Sequence, residues 1–106
     1  MWVIEYWNEL DTESPVEEWL DELTKEQFKS VAKELKLLEQ CGNQLRLPHS
    51  GSLGGGLFEL RERRHGHRIY YTFSKHKIIV LLCAGDKHTQ ENDIKTARNR
   101  LEKLNT

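Results

Sequence analysis

Apolar positions recur along this chain with changing periods, and each period predicts an element. The opening Met1-Trp2-Val3-Ile4-Glu5-Tyr6-Trp7 alternates as a strand does. Ser14, Pro15 and Glu17 then form a helix start, a capping box with proline in the first turn, and Val16, Trp19, Leu20 and Leu23 fall on one helical face. Thr24 caps a second helix with Phe28, Val31, Leu35 and Leu38 in a stripe and Gly42 at its end, so the two helices predict a hairpin. Leu57 to Glu62 alternates, His65-Gly66 turns the chain, and His67 to Phe73 alternates again, which predicts a β-hairpin. After a turn over Ser74 to Lys77, every position from Ile78 to Ala84 is apolar, as in a central strand covered on both faces. Thr89 caps a last helix with Ile94, Ala97, Leu101 and Leu104 inward. The order β-α-α-β-β-β-α is that of an α+β domain.

Between the helices and the β-hairpin, Gly42 to Gly56 holds five of the seven glycines and one of the two prolines and is expected to be a loop. A loop of this length in a compact domain implies a surface that meets a substrate or partner. With 106 residues and no repeat or linker, the chain is expected to be one domain over 1–106. No apolar run is long enough to span a membrane and the first residues lack the look of a leader, so a soluble, unprocessed cytoplasmic protein is expected. Cys41 and Cys83 form no CxxC pair and are expected to be unpaired thiols in a reducing compartment.

A formal net charge of −1 conceals an asymmetry. Residues 1–40 carry 11 acidic and 4 basic side chains, whereas 41–106 carry 6 acidic and 12 basic, together with all five histidines, His49, His65, His67, His76 and His88. Such a split points to a nucleic-acid face, or to acidic helices flanking a basic sheet edge. Strand alternation sorts the candidates. With Phe58, Leu60, Ile69, Tyr71 and Phe73 turned to the helices, Arg61, Arg68 and Tyr70 share the opposite face, where two guanidiniums could converge on one phosphate. The plainer reading pairs those arginines with Glu59 or Glu62 on the surface. Lys87 and His88 lie where the central strand meets the last helix, whose first N–H groups would attract an anion. Arg63, Arg64 and His67 supply general attraction for RNA, with His65 and His67 as exposed flanks of a turn. No metal or other cofactor is expected.

The segments Gly56-Leu57-Phe58-Glu59-Leu60-Arg61, Gly66-His67-Arg68-Ile69-Tyr70-Tyr71 and Leu81 to Gln90, ending in Gly85-Asp86-Lys87-His88-Thr89-Gln90 and followed by Asp93, Ile94 and Ala97, occur in a characteristic order. Together with Ser14 to Leu20, they resemble the addiction-module killer proteins, the Gp49-like, HigB-like branch of the RelE/ParE toxin superfamily. The resemblance implies a small RelE-like fold: a mainly antiparallel four-stranded sheet on an N-terminal helical hairpin, with a C-terminal helix. It also implies the toxin of a type II toxin–antitoxin pair, an endoribonuclease that cuts mRNA on the ribosome without a metal and is neutralised by a helix-turn-helix antitoxin. Arg61, Arg68, Tyr70 and Lys87 match the family's motif positions. His88 stands where Ser is common, and its expected role as proton donor rests on its chemistry. Within the same fold, a gyrase-directed toxin or a non-catalytic RNA-binding protein is the alternative, and a structural interaction domain is the reading outside it.

Overall fold

The computed structural model describes residues 1–9 and 14–105. Its elements are β1 (Val3–Tyr6), α1 (Pro15–Asp21), α2 (Lys25–Cys41), β2 (Ser50–Gly54), β3 (Leu57–Glu62), β4 (His67–Ser74), β5 (Ile78–Asp86) and α3 (Gln90–Leu104), with a 3-10 turn at Gly42–Gln44. The strands form one sheet in the order β1-β5-β4-β3-β2, with β1 parallel to β5 and the other pairs antiparallel.

The α+β class and the element order follow the sequence pattern, but the sheet has five strands where four were expected. The addition is β2, in the segment read as a loop. Ser50-Gly51-Ser52-Leu53-Gly54 has almost no apolar alternation; it becomes a strand by pairing with the edge of β3, Ser50 opposite Leu60 and Ser52 opposite Phe58. Tertiary pairing overrides weak local propensity here.

Helices cover both faces of the sheet. Val16, Leu20, Val31 and Leu38 of the hairpin α1–α2 pack with Leu60, Ile69, Tyr71, Ile79 and Leu81. On the other face, Ala97 and Leu101 of α3 pack with Trp7, Leu57, Tyr70, Val80, Leu82 and Cys83. This explains the unbroken apolar run of β5: alternate residues serve alternate cores. At the pairing of β4 with β5, Tyr70 faces Cys83 and Tyr71 faces Leu81, leaving Leu82 as the extra residue of a bulge. Beyond that bulge the phase of β5 is reversed, so Ala84 packs with the α1–α2 core while Gly85 turns toward α3.

Helix starts behave largely as expected. Glu17 N–H donates to Ser14 Oγ, and Thr24 with Gln27 forms the complete reciprocal capping box. Two residues assigned to inward stripes are outside: Phe28, in the first turn of α2, and Leu104, the last residue of α3, are exposed. Both cysteines are free thiols. Among the described residues no helix is long and apolar enough to cross a membrane.

Candidate active site

The β3–β4 hairpin places Arg61 directly opposite Arg68, and Glu59 opposite Tyr70. Two like charges in register repel. Glu59 answers that repulsion from two residues away on the same strand face: its Oε1 accepts from Arg61 Nε at 2.8 Å and from Arg68 Nη1 at 2.8 Å. Its Oε2 accepts from Gln90 Nε2 at 2.9 Å, at the first turn of α3. The carboxylate is only 1% exposed, so water contributes little to holding it charged. One buried anion thus fixes two guanidiniums and leaves the group with a net positive charge. In the sequence, pairing with Glu59 and a shared face for the two arginines look like rivals; in the structure the arginines stand opposite each other and both pair with Glu59.

Arg61 and Arg68 line a cavity of about 280 Å³ together with Glu62, Arg63, Gly66, His67 and Lys87. Gly66, at φ +80°, closes the hairpin turn, and the Lys87 stem passes within 3.7 Å of where a Cβ would stand on it. Lys87 therefore lies over the turn, beside the arginines of the two strands. Arg68 Nε is buried without a hydrogen-bond partner among the described residues. An unsatisfied donor on a guanidinium is costly unless an anion completes it.

Not every predicted residue joins the arginines inside this cavity. Tyr70 does not share an open face with the arginines: it is fully buried beneath α3, because its face of the sheet is the one that helix covers. Burial first, then the charges of Glu59 and Asp93, push its phenol well above the usual tyrosine range. His88 is exposed on the turn after β5 and does not line the cavity. Just before α3, where an anion site was expected, Asp86 Oδ1 already accepts from the N–H groups of His88 at 2.8 Å and Thr89 at 3.2 Å. Thr89 makes no side-chain cap; its hydroxyl donates to Asp93. Arg63 and Arg64 are exposed, and Arg64 reaches Glu26 at 3.8 Å.

His65 and His67 are not the exposed flanks expected. Their side chains are 24% and 11% exposed, and both turn toward the 4%-exposed carboxylate of Glu62. Burial alone would raise the Glu62 carboxyl, but the His65 N–H, the Ser30 hydroxyl and the two imidazoles outweigh it and hold the carboxyl below its usual range. Sequence reasoning missed both glutamates as organisers. For Glu59 the signal was its place two residues before Arg61 on the same strand face; for Glu62 it was the closely following His65-Gly66-His67.

The family model described as phage-derived protein Gp49-like (DUF891) matches residues 18–103, and the chain belongs to that family. A 54-residue stretch is 41% identical to an uncharacterised protein of Haemophilus influenzae; the match covers 50% of this chain and 54% of that protein, so the chain spans about half the length of the curated relative it matches. The fold is that of the isolated E. coli RelE toxin, with a TM-score of 0.60 at 15% identity over 90% of this chain and 97% of the other. The RelE-like architecture implied by the motif order is therefore present.

Proposed function

We propose that this chain is the toxin of a toxin–antitoxin pair and acts as an endoribonuclease on mRNA at the ribosome. The observation that carries this reading is the convergence of Arg61, Arg68 and Lys87 on one small cavity, with a buried Arg68 donor left unpaired. The fold shared with a protein described as a toxin supports the biological role.

In the proposed reaction the ribose 2′-oxygen attacks the adjacent phosphorus and loses its proton, the bond from phosphorus to the 5′-oxygen breaks, and that oxygen gains a proton. The products are a 2′,3′-cyclic phosphate and a 5′-hydroxyl, with no water or metal taking part. Arg61 and Arg68 grip the phosphate and stabilise the extra charge of the transition state, which raises rate more than ground-state binding would. Glu59 acts as a positioning residue by fixing both guanidiniums. Lys87 adds positive charge or takes the 2′-proton. His88, next to it on the same exposed turn but outside the cavity wall, is the candidate donor to the leaving oxygen, a role that requires the turn to bring its ring over the cavity when RNA binds. Arg63, Arg64 and His67 guide RNA toward the cavity, and a helix-turn-helix antitoxin is the cognate partner.

The test is to map mRNA 5′ ends after brief expression, and in a purified translation system with and without ribosomes. New 5′-hydroxyl ends that require ribosomes and vanish in a folded Arg68→Ala variant are expected. Intact transcripts with loss of DNA supercoiling would instead point to gyrase, and a fully toxic, well-folded Arg68→Ala variant would remove the arginine from the mechanism.

A further inference from the structure

The β3–β4 turn carries a second constellation on the opposite side from the Glu59 network. We propose that Glu62, His65 and His67 form a binding site for a borderline divalent transition-metal ion of the zinc class, independently of the nuclease reading. One ligand atom from each of the three lies within 4.8 Å of the others. Glu62 Oε1 is 2.9 Å from His67 Nδ1, and Oε2 is 3.3 Å from His65 Nδ1. Ligands held about 2.0–2.2 Å from a tetrahedral ion stand about 3.3–3.6 Å apart, so small rotations of the carboxylate and the two rings would bring one oxygen and two nitrogens to coordination spacing.

The backbone builds this arrangement. Glu62 and His67 are a cross-strand pair, Gly66 N–H donates to Glu62 carbonyl at 3.1 Å, and the positive φ of Gly66 brings His65 back over the carboxylate. Second contacts orient the ligands. Ser30 Oγ on α2 donates to Glu62 Oε2 at 2.8 Å, and the His67 ring meets the edge of Trp19 at 5.2 Å. Two imidazoles and one carboxylate leave a fourth position for water, and His65, the most exposed of the three, marks the way in. Nitrogen ligands select against magnesium and calcium, which take oxygen. Ion entry displaces the protons that the two Nδ1 atoms share with Glu62. Because Glu62 and His67 also line the Arg61–Arg68–Lys87 cavity, a bound ion would add positive charge to its wall and tie β3 to β4.

The experiment uses untagged full-length protein stripped with chelator, titrated with Zn²⁺ alone against a chromophoric competitor, with Mg²⁺ as control. One equivalent is expected to bind, with a rise in Tm and no response to Mg²⁺. His65→Gln, the least buried ligand and the variant least able to disturb folding, should weaken binding about 10- to 100-fold. Co²⁺ in place of Zn²⁺ should broaden the NMR signals of His65 and His67 before those of His49, His76 or His88. Binding that is unchanged in His65→Gln, absent in the intact protein, or centred on another histidine overturns the site.

Discussion

Replacing Glu59 with Gln tests the claim that one carboxylate holds the two arginines. Gln keeps the shape and one acceptor oxygen but removes the negative charge between guanidiniums that face each other across β3 and β4. The Arg68 contact is largely enclosed, with side chains 16% and 1% exposed, so its charged hydrogen bond is worth roughly 1.5–3 kcal/mol. Arg61 is 38% exposed, and solvent screening limits its share to about 1 kcal/mol or less. A loss of roughly 2–4 kcal/mol follows, which in a domain of this size lowers Tm by about 10–20 °C. Urea unfolding at pH 7, followed by tryptophan fluorescence, measures it. If repulsion between the arginines is part of the loss, Arg61→Ala should cost less in the Glu59→Gln background than in the wild type. A Glu59→Gln protein within about 0.5 kcal/mol of wild type would refute the reasoning, because a buried carboxylate that fixes two guanidiniums cannot be neutralised at so small a cost.

Gly85→Ala drives a Cβ into Asp93 Oδ2 and against Thr89 Oγ1, and overpacking of this kind costs about 1–3 kcal/mol; denaturant midpoints check it, and an unchanged midpoint would mean that the start of α3 yields freely. Tyr6, Tyr70 and Tyr71 all have phenols raised above 10 chiefly by burial. The folded chain therefore keeps protons that the unfolded chain loses, and this contribution to stability is complete below pH 10 and declines above it. The part of the rise in absorbance at 295 nm that comes from the enclosed Tyr70 and Tyr71 should appear only together with alkaline unfolding; a rise of all three phenolates near pH 10 while the circular dichroism stays native would contradict the burial. Arg98 donates to the carbonyls of Leu53 at 2.8 Å and Gly54 at 3.2 Å. Because it is exposed, Arg98→Ala should cost under about 1 kcal/mol globally yet speed amide exchange in β2 selectively, and uniform exchange across the sheet would show that α3 does not secure that strand.

Periodicity made the hairpins, the two-faced strand and the helix starts legible, because each rests on local spacing. It could not supply β2, whose sequence of serines and glycines becomes a strand only against β3. Nor could it place Tyr70. Alternation put the side chain on the face opposite the α1–α2 hairpin, but whether that face met solvent depended on where α3 would lie. The candidate site was legible in its arginines and hidden in its acids. Glu59 and Glu62 look like surface charges in the sequence and are among the most buried polar residues described.

The order of the three motif segments has a physical basis in this arrangement. Glu59 and Arg61 come from the first, Arg68 from the second and Gln90 from the third, and they meet through the two oxygens of one carboxylate. The turn at Gly66 sets the register that opposes Arg61 to Arg68. The bulge at Leu82 sets the phase that turns Gly85 beneath Asp93 and Thr89, which lets α3 begin close enough for Gln90 to reach Glu59. A change in the length of either strand would separate these groups even with every motif residue retained. A one-residue insertion in β5 beyond the bulge should therefore break the Gln90–Glu59 contact and loosen Arg61 and Arg68 together, whereas substitution of Gln90 alone leaves both arginines their shared oxygen. Spacing in this chain thus carries information that residue identity does not, since both arginines are held by one carboxylate whose partners come from three distant parts of the sequence.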